Sequence, residues 1–213
     1  GGKLSIELSA EFADICANKE IEFYVMYGQT EATARMSYLP WEYAHTKVGS
    51  IGIAIPGGKF KLEDENRKII IENDTTGELV YQGDNVTMGY AESCFDLQNS
   101  DENNGILHTG DLAKMDSDGF YYITGRMKRF LKMYGNRINL DEIEELIRTA
   151  GYDCVCAGTD DNLKIYITEP DDKDRIIRYI AKHTGINRAG FSFAYIDKIP
   201  RNNSGKVQYS SLN

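Results

Sequence analysis

The chain has 213 residues, 41% of them hydrophobic and 27% charged, an ordinary globular composition with room for one large or two small domains. No run approaches the roughly 20 apolar residues of a membrane-spanning helix. A net charge of −9 argues against a nucleic-acid partner, which needs a basic face.

Ser5 to Lys19 spaces Ile6, Leu8, Phe12, Ile15 and Cys16 along one side and predicts a helix. Ile21 to Met26 is short and rich in β-formers and predicts a buried strand, followed directly by Tyr27-Gly28-Gln29-Thr30-Glu31. From Val48 to Tyr90 the pattern becomes short strands, Ile51 to Ile55, Phe60 to Leu62, Lys68 to Ile71 and Glu78 to Tyr81. They are separated by the breakers Pro56-Gly57-Gly58, Asn73-Asp74 and Gly83-Asp84-Asn85, as in a small β-rich subdomain. Asn99 to Gly105 reads as a polar loop. After Arg126, Phe130 to Met133 and Arg137 to Asn139 flank a hairpin signal at Tyr134-Gly135-Asn136. Asn139 can cap a helix over Leu140 to Ala150, with Asp141 and Glu142 in its first turn. Strands follow at Val155 to Ala157 and Leu163 to Thr168, then a helix from Asp171 to His183 and a strand from Phe191 to Ile196. That last part reads as a compact α+β module.

Charge divides the chain similarly. Residues 1–125 hold 9 Lys+Arg and 21 Asp+Glu, a balance of −12, whereas residues 126–213 hold 15 and 12, a balance of +3. The N-terminal Gly1-Gly2-Lys3-Leu4 carries no signal-peptide pattern. Four cysteines without metal-type spacing point to a reducing compartment, the cytoplasm by default.

Four segments offer chemistry. Tyr27 to Glu31 sets an aromatic, a glycine, a hydroxyl and a carboxylate at a strand's end, where open α/β sheets bind ligands; the same composition also makes an ordinary polar loop. Thr109-Gly110-Asp111-Leu112 places a carboxylate beside a glycine just before an expected hairpin, suited to a ribose diol or simply to a turn. Gly125 to Gly135 holds four cations within seven residues; Lys128 and Lys132 share a face if that stretch is extended, and lysines also protect solvated edge strands. Pro200 to Val207 is a turn-rich loop that presents Lys206, a point charge for a phosphate or part of a loose tail.

In this order and spacing the segments resemble the adenylate-forming superfamily of acyl- and aryl-CoA synthetases, peptide-synthetase adenylation domains and luciferase. The landmarks are Tyr27 to Glu31, Gly77-Glu78-Leu79 with Gly89-Tyr90, Thr109-Gly110-Asp111, Gly125-Arg126, Gly135 to Ile138 with Glu142-Ile143-Glu144, and Ser204-Gly205-Lys206. The resemblance implies an α/β remnant of the large adenylating domain with a small β-barrel-like subdomain, followed by a small α+β C-terminal domain. The implied boundaries are 1–125 for the large-domain part (subdomain about 46–124), 126–128 for a hinge and 129–213 for a mobile small domain. Family members carry a glycine-rich phosphate loop upstream that does not precede Tyr27 here. The chain is therefore expected to start inside a domain, to need that missing N-terminal part as a partner, and to be inactive alone. Residues 1–45, cut from a larger sheet, are expected to be disordered, rearranged or engaged with another chain.

By the same resemblance Gly2 lines the adenine and acyl sites, Tyr27 stacks on adenine with Gly28 and Ile123 nearby, and Thr30 meets the α-phosphate. Glu31 holds Mg²⁺, and Asp111 and Arg126 bind the ribose hydroxyls. Lys128 is the hinge, Lys206 the adenylation lysine, and Lys132 and Gly135 face the pantetheine thiol. The implied reactants are a small carboxylic acid, ATP with Mg²⁺, and CoA or the phosphopantetheine of an acyl carrier protein. A lysine about 4 Å from the phosphoryl group contributes roughly 4 kcal/mol at an effective dielectric near 20. An aminoacyl-adenylating domain and a non-catalytic nucleotide- or partner-binding module are the alternatives. Ala32 to Leu39 would line the acyl pocket, where Arg35 either pairs with a substrate carboxylate or, the favoured reading, faces solvent or a structural acid. His45, His108 and His183 form no ligand set, and Cys154 and Cys156 read as packing.

Overall fold

Ser5 starts the first element: its Oγ accepts the Leu8 amide at 3.2 Å and caps α1 (Ile6–Asn18). The computed structural model describes residues 4–169, 173–203 and 205–212 and divides into two compact units at Thr124/Gly125. Gly2 and Ser204 lie outside the described residues, as does Asp171 at the start of the third expected helix. Among the described residues no helix is long and apolar enough to cross a membrane.

In the first unit, α1 precedes a three-stranded antiparallel sheet of β1 (Val25–Tyr27), β2 (Ser37–Leu39) and β3 (Ile53–Ala54). A five-stranded sheet then runs in the order β5 (Ile69–Ile70), β4 (Lys59–Glu63), β6 (Gly77–Gln82), β7 (Ile106–Met115), β8 (Tyr121–Arg126). Two apolar clusters hold this unit, one around Met36, Tyr81 and Leu107, the other around Ile51, Leu62, Leu79 and Ala113. The Tyr27 and Phe60 rings pack against both, so the end of β1 is tied into the larger sheet.

Several expectations for this unit are corrected. α1 forms, but Ile6, Leu8, Phe12 and Ile15 are exposed and Ser9 and Ala13 are the buried positions. The apolar stripe is real, yet its side chains stay largely exposed, with Phe12 stacked on Phe23. The strand expected over Ile21 to Met26 is confined to Val25–Tyr27, with Ile21 and Met26 exposed, so it is not a buried strand. Within residues 4–45, β2 pairs β1 from Val25↔Leu39 to Tyr27↔Ser37. Thr109 to Leu112 lies inside the ten-residue β7, not just before a hairpin; the turn to β8 comes later, at Asp116 to Phe120.

The second unit is two-layered. β11 (Cys154–Thr159) pairs antiparallel with β12 (Asn162–Ile167), which pairs parallel with β13 (Phe191–Tyr195). Period-two alternation sorts the side chains: Cys154, Cys156, Leu163, Ile165 and Ile167 meet α2 (Leu140–Thr149) and α3 (Lys173–Thr184) through Ile143, Ile147, Ile176 and Ile180. Val155 and Tyr166 face the other way, against Ile199 and Leu212. Asn139 Oδ1 accepts the Asp141 amide at 2.9 Å and caps α2. Gly125 is required beside it, since a Cβ there would stand 2.1 Å from Asn139 Nδ2. β9 (Phe130–Met133) and β10 (Asn136–Asn139) close in register at Met133↔Asn136. The connection is thus two residues, Tyr134 and Gly135 with φ of 51° and 86°, as a type I′ turn demands, and Asn136 belongs to the strand.

Candidate active site

In the first unit the site is built where β1 ends and β7 bulges. Against β6, β7 pairs Leu112 with Glu78 and His108 with Val80, so Thr109-Gly110-Asp111 is accommodated opposite Leu79 alone. Gly110 takes φ +67°, and such a bulge re-aims the side chain that follows it. Thr109 Oγ1 donates to the Leu79 carbonyl at 2.6 Å and accepts the Asp111 amide at 3.1 Å, and the buried Glu78 accepts the Gly110 amide at 3.4 Å. Asp111 is thereby turned to Tyr27, whose hydroxyl donates to its Oδ2 at 2.7 Å. Gln29 Nε2 donates to the same oxygen and to the Thr109 carbonyl, both at 3.0 Å. Burial, then the Asp111 charge and hydrogen bond, pushes the Tyr27 hydroxyl far above its ordinary value, so it stays a donor.

Gly28 lets the loop fold back on itself: a Cβ there would lie 2.5 Å from the Ala34 carbonyl oxygen. Asn85 fastens that return by donating to the Ala32 and Arg35 carbonyls at 2.7 and 2.9 Å. Thr30 is exposed and Glu31 half-buried. Tyr90 donates a short hydrogen bond to Glu31 Oε1, and that bond, with a backbone one, holds the Glu31 carboxyl below its ordinary value. Among the described residues no group of three His, Cys, Asp or Glu side chains forms a metal cluster. Glu31 is nevertheless chemically suited to give one oxygen ligand to Mg²⁺, which normally keeps waters and substrate phosphates as its others. Ile123 packs with Tyr27 on the apolar cluster of the larger sheet.

The second unit holds the remaining candidates. Arg126 is exposed, and its carbonyl accepts the Arg129 amide at 3.0 Å, so residues 126–129 form a turn with Lys128 exposed inside it. The stretch is not extended, and the expected shared face of Lys128 and Lys132 is lost. Lys132 is exposed on β9, its amide donating to Asp160 Oδ1 at 2.8 Å, and Gly135 stands in open space at the hairpin tip. Lys206 is exposed in a loop closed by the Arg201↔Val207 bridge and by Asn202, whose Oδ1 accepts the Lys206 amide at 2.9 Å. Tyr27, Asp111 and Ile123 are thus brought together in one unit, and Arg126, Lys128, Lys132, Gly135 and Lys206 belong to the other. Gln29, Glu78, Thr109 and Tyr90 also build the site, and their sequence signal is a polar side chain within the same motifs as Tyr27, Asp111 and Glu31.

A charged network lies under the turn at 126–129. The Arg129 guanidinium donates to Asp141, Glu144 and the Cys156 carbonyl and stacks on Tyr209, 3.7 Å from the ring centroid. Glu144 also accepts the Cys156 amide at 2.7 Å and the Tyr209 hydroxyl at 3.3 Å. Burial pushes the Glu144 carboxyl up, opposed by Arg129 and the Cys156 amide, and burial likewise raises the Tyr209 hydroxyl.

The AMP-binding enzyme family model matches residues 1–91, part of the chain. Along most of its length the chain is similar to proteins named as CoA ligases. It is 28% identical over 203 residues to the 2-succinylbenzoate–CoA ligase of Bacillus mycoides, covering 91% of this chain and 42% of that protein. A Bacillus cereus protein of the same name is 34% identical over 134 residues, 63% of this chain and 27% of the relative. The Bacillus subtilis O-succinylbenzoate coenzyme A synthetase in complex with AMP superposes with a TM-score of 0.74 at 24% identity, covering all of this chain and 44% of that one. An anthranilate CoA ligase in complex with anthranoyl-AMP superposes at 0.70 and 20% identity, over 96% and 40%. The chain spans less than half the length of these relatives.

Proposed function

We propose that this chain is the C-terminal portion of an AMP-forming ligase that activates a carboxylic acid with ATP and passes the acyl group to the thiol of CoA or of carrier-bound phosphopantetheine. The observation that carries the reading is the convergence of Tyr27, Gln29 and Asp111, from segments 82 to 84 residues apart, on one carboxylate oxygen. In this reading the Tyr27 ring stacks on adenine, Asp111 and Arg126 accept and donate to the ribose hydroxyls, and Thr30 bonds the α-phosphate. Glu31 supplies one oxygen to Mg²⁺, which neutralises phosphate charge when bound.

The acid's carboxylate oxygen attacks the α-phosphorus, the bond to pyrophosphate breaks, and pyrophosphate leaves with the electron pair. Lys206 stabilises the charge on the phosphoryl oxygens. In the second step the thiol sulfur attacks the acyl carbon, its proton passes to solvent, and AMP leaves. Lys132 and Gly135 are assigned to the thiol side, and Lys128 to the hinge on which the 129–213 domain changes pose. The β4 to β8 sheet is read as the small barrel-like subdomain. The exposed apolar stripe of α1 supports an upstream part of the same large domain packing over it, which would also bring the phosphate loop. 2-Succinylbenzoate is the first acid to offer, since curated relatives are named for it.

Calorimetric titration of a nonhydrolysable acyl-adenylate analogue into the chain and its Asp111→Ala variant tests the reading. Micromolar binding that disappears in the variant supports it; binding of equal strength in both would sink the nucleotide assignment of this cluster.

A further inference from the structure

The loop that presents Lys206 and the turn that contains Lys128 are far apart in sequence, yet one side chain connects their supports. We propose that Arg129 is a positioning residue that, with Glu144 and Tyr209, fixes the Lys206 loop to the backbone leaving the 126–129 turn. The inference rests on the assignment of Lys206 above and adds a device that the assignment does not require.

Four segments meet at this guanidinium. Arg129 closes the turn through its own amide, donated to the Arg126 carbonyl at 3.0 Å. Its side chain reaches α2 through Asp141 and Glu144, and β11 through the Cys156 carbonyl at 3.3 Å. Its plane lies on the Tyr209 ring, in the short helical turn Tyr209–Ser211 that follows the loop. Glu144 completes the ring by accepting the Tyr209 hydroxyl at 3.3 Å. Gln208 donates its amide to the Pro200 carbonyl at 2.9 Å, so fixing Tyr209 fixes the base of the 201–207 loop. Ile199 and Leu212 are buried against Val155 and Tyr166, with Val207 and Tyr209 packed beside them and the Tyr166 hydroxyl donating to the Leu212 carbonyl, so the Arg129 network adds to an apolar seat.

The side chain is 12% exposed, and its cation meets two carboxylates. Only a planar fork can donate in three directions while stacking on an aromatic face; a lysine ammonium keeps the charge and loses the geometry. Lys206 would then travel as one body with the turn whenever the hinge rotates, instead of trailing on a loose tail.

The test uses the full-length enzyme with Arg129→Lys, Tyr209→Phe and Lys206→Ala, because Arg129→Ala risks failing to fold. Hydrogen exchange of amides in 201–212 is read against amides of β11 and β12 as an internal reference. Losing charge-assisted bonds should speed exchange in 201–212 by about tenfold in Arg129→Lys, with the reference strands unchanged. The kcat for pyrophosphate release should fall by about as much while the KM for ATP holds. Tyr209→Phe should show a smaller change in the same direction. Unchanged exchange in Arg129→Lys overturns the proposal. So does faster exchange with unchanged kcat in an enzyme that Lys206→Ala disables. A silent Lys206→Ala would instead overturn the assignment of that lysine, and exchange alone would still decide for or against Arg129 as the anchor.

Discussion

Tyr27→Phe removes one oxygen and leaves the ring, so it isolates the bond to Asp111 from the packing of Tyr27 against the two apolar clusters. The Asp111 side chain belongs to a residue only 6% exposed, and it keeps the Gln29 donor when the hydroxyl is gone. A hydrogen bond to a charged group contributes about 1.5–3 kcal/mol, and the half-buried position of Tyr27 suggests about 2. With a urea slope of about 2 kcal/mol/M, that lowers the unfolding midpoint by about 1 M. The measurement is clean because the chain has a single tryptophan, Trp41, in the same unit as Tyr27, so its fluorescence follows that unit alone. Tyr24→Phe is the control: its hydroxyl bonds Glu22 on an exposed surface, and its loss should stay within about 0.5 kcal/mol. A Tyr27→Phe midpoint indistinguishable from that of the control would refute the view that this bond organises the site. The raised Tyr27 hydroxyl predicts in addition that the difference between wild type and variant persists from pH 6 to 9.

Gly28→Ala should destabilise the same unit by about 1–3 kcal/mol, because the new methyl meets backbone at Ala34 and Arg35 that cannot rotate away; an unfolding midpoint equal to wild type contradicts this. Asp116 supplies a pH signature. Burial raises its carboxyl, but the Lys47 bond and the amides of Phe120 and Asp118 outweigh that and set it below its ordinary 3.8. A folded value below the unfolded one means a contribution present above pH 3.8 and lost as pH falls through the folded value. Asp116→Asn should therefore flatten the acid limb of the stability curve below about pH 4, and an unchanged limb would remove Asp116 from its cause.

The second unit was legible because its local signals agree with its packing. Asn139 before Asp141 and Glu142 starts α2, Tyr134-Gly135 supplies the two positive φ values of a tight hairpin, and alternation through Cys154 to Ala157 sorts the two faces of β11. The first unit misled where an apolar pattern does not mean burial. Ile6, Leu8, Phe12 and Ile15 form the stripe of a packed helix, and periodicity cannot tell whether a stripe is covered. Between Lys128 and Lys132 a shared face requires an extended stretch, and the turn at 126–129 removes that condition.

Asp111 is the most instructive position. Thr109-Gly110-Asp111 resembles a turn because it contains the residues that turns use, and the chain does need a positive φ there. It needs it inside a strand. The bulge opposite Leu79 reverses the ordinary alternation of β7, so period-two reasoning from Leu107 or Leu112 cannot tell which way Asp111 points. What sets the direction is the partner set, with Thr109 bonding Leu79, Glu78 holding the Gly110 amide, and Tyr27 and Gln29 waiting at the end of another strand. Those contacts join residues about 30 and 80 positions apart, a separation at which single-sequence patterns carry no information and only the folded sheet does.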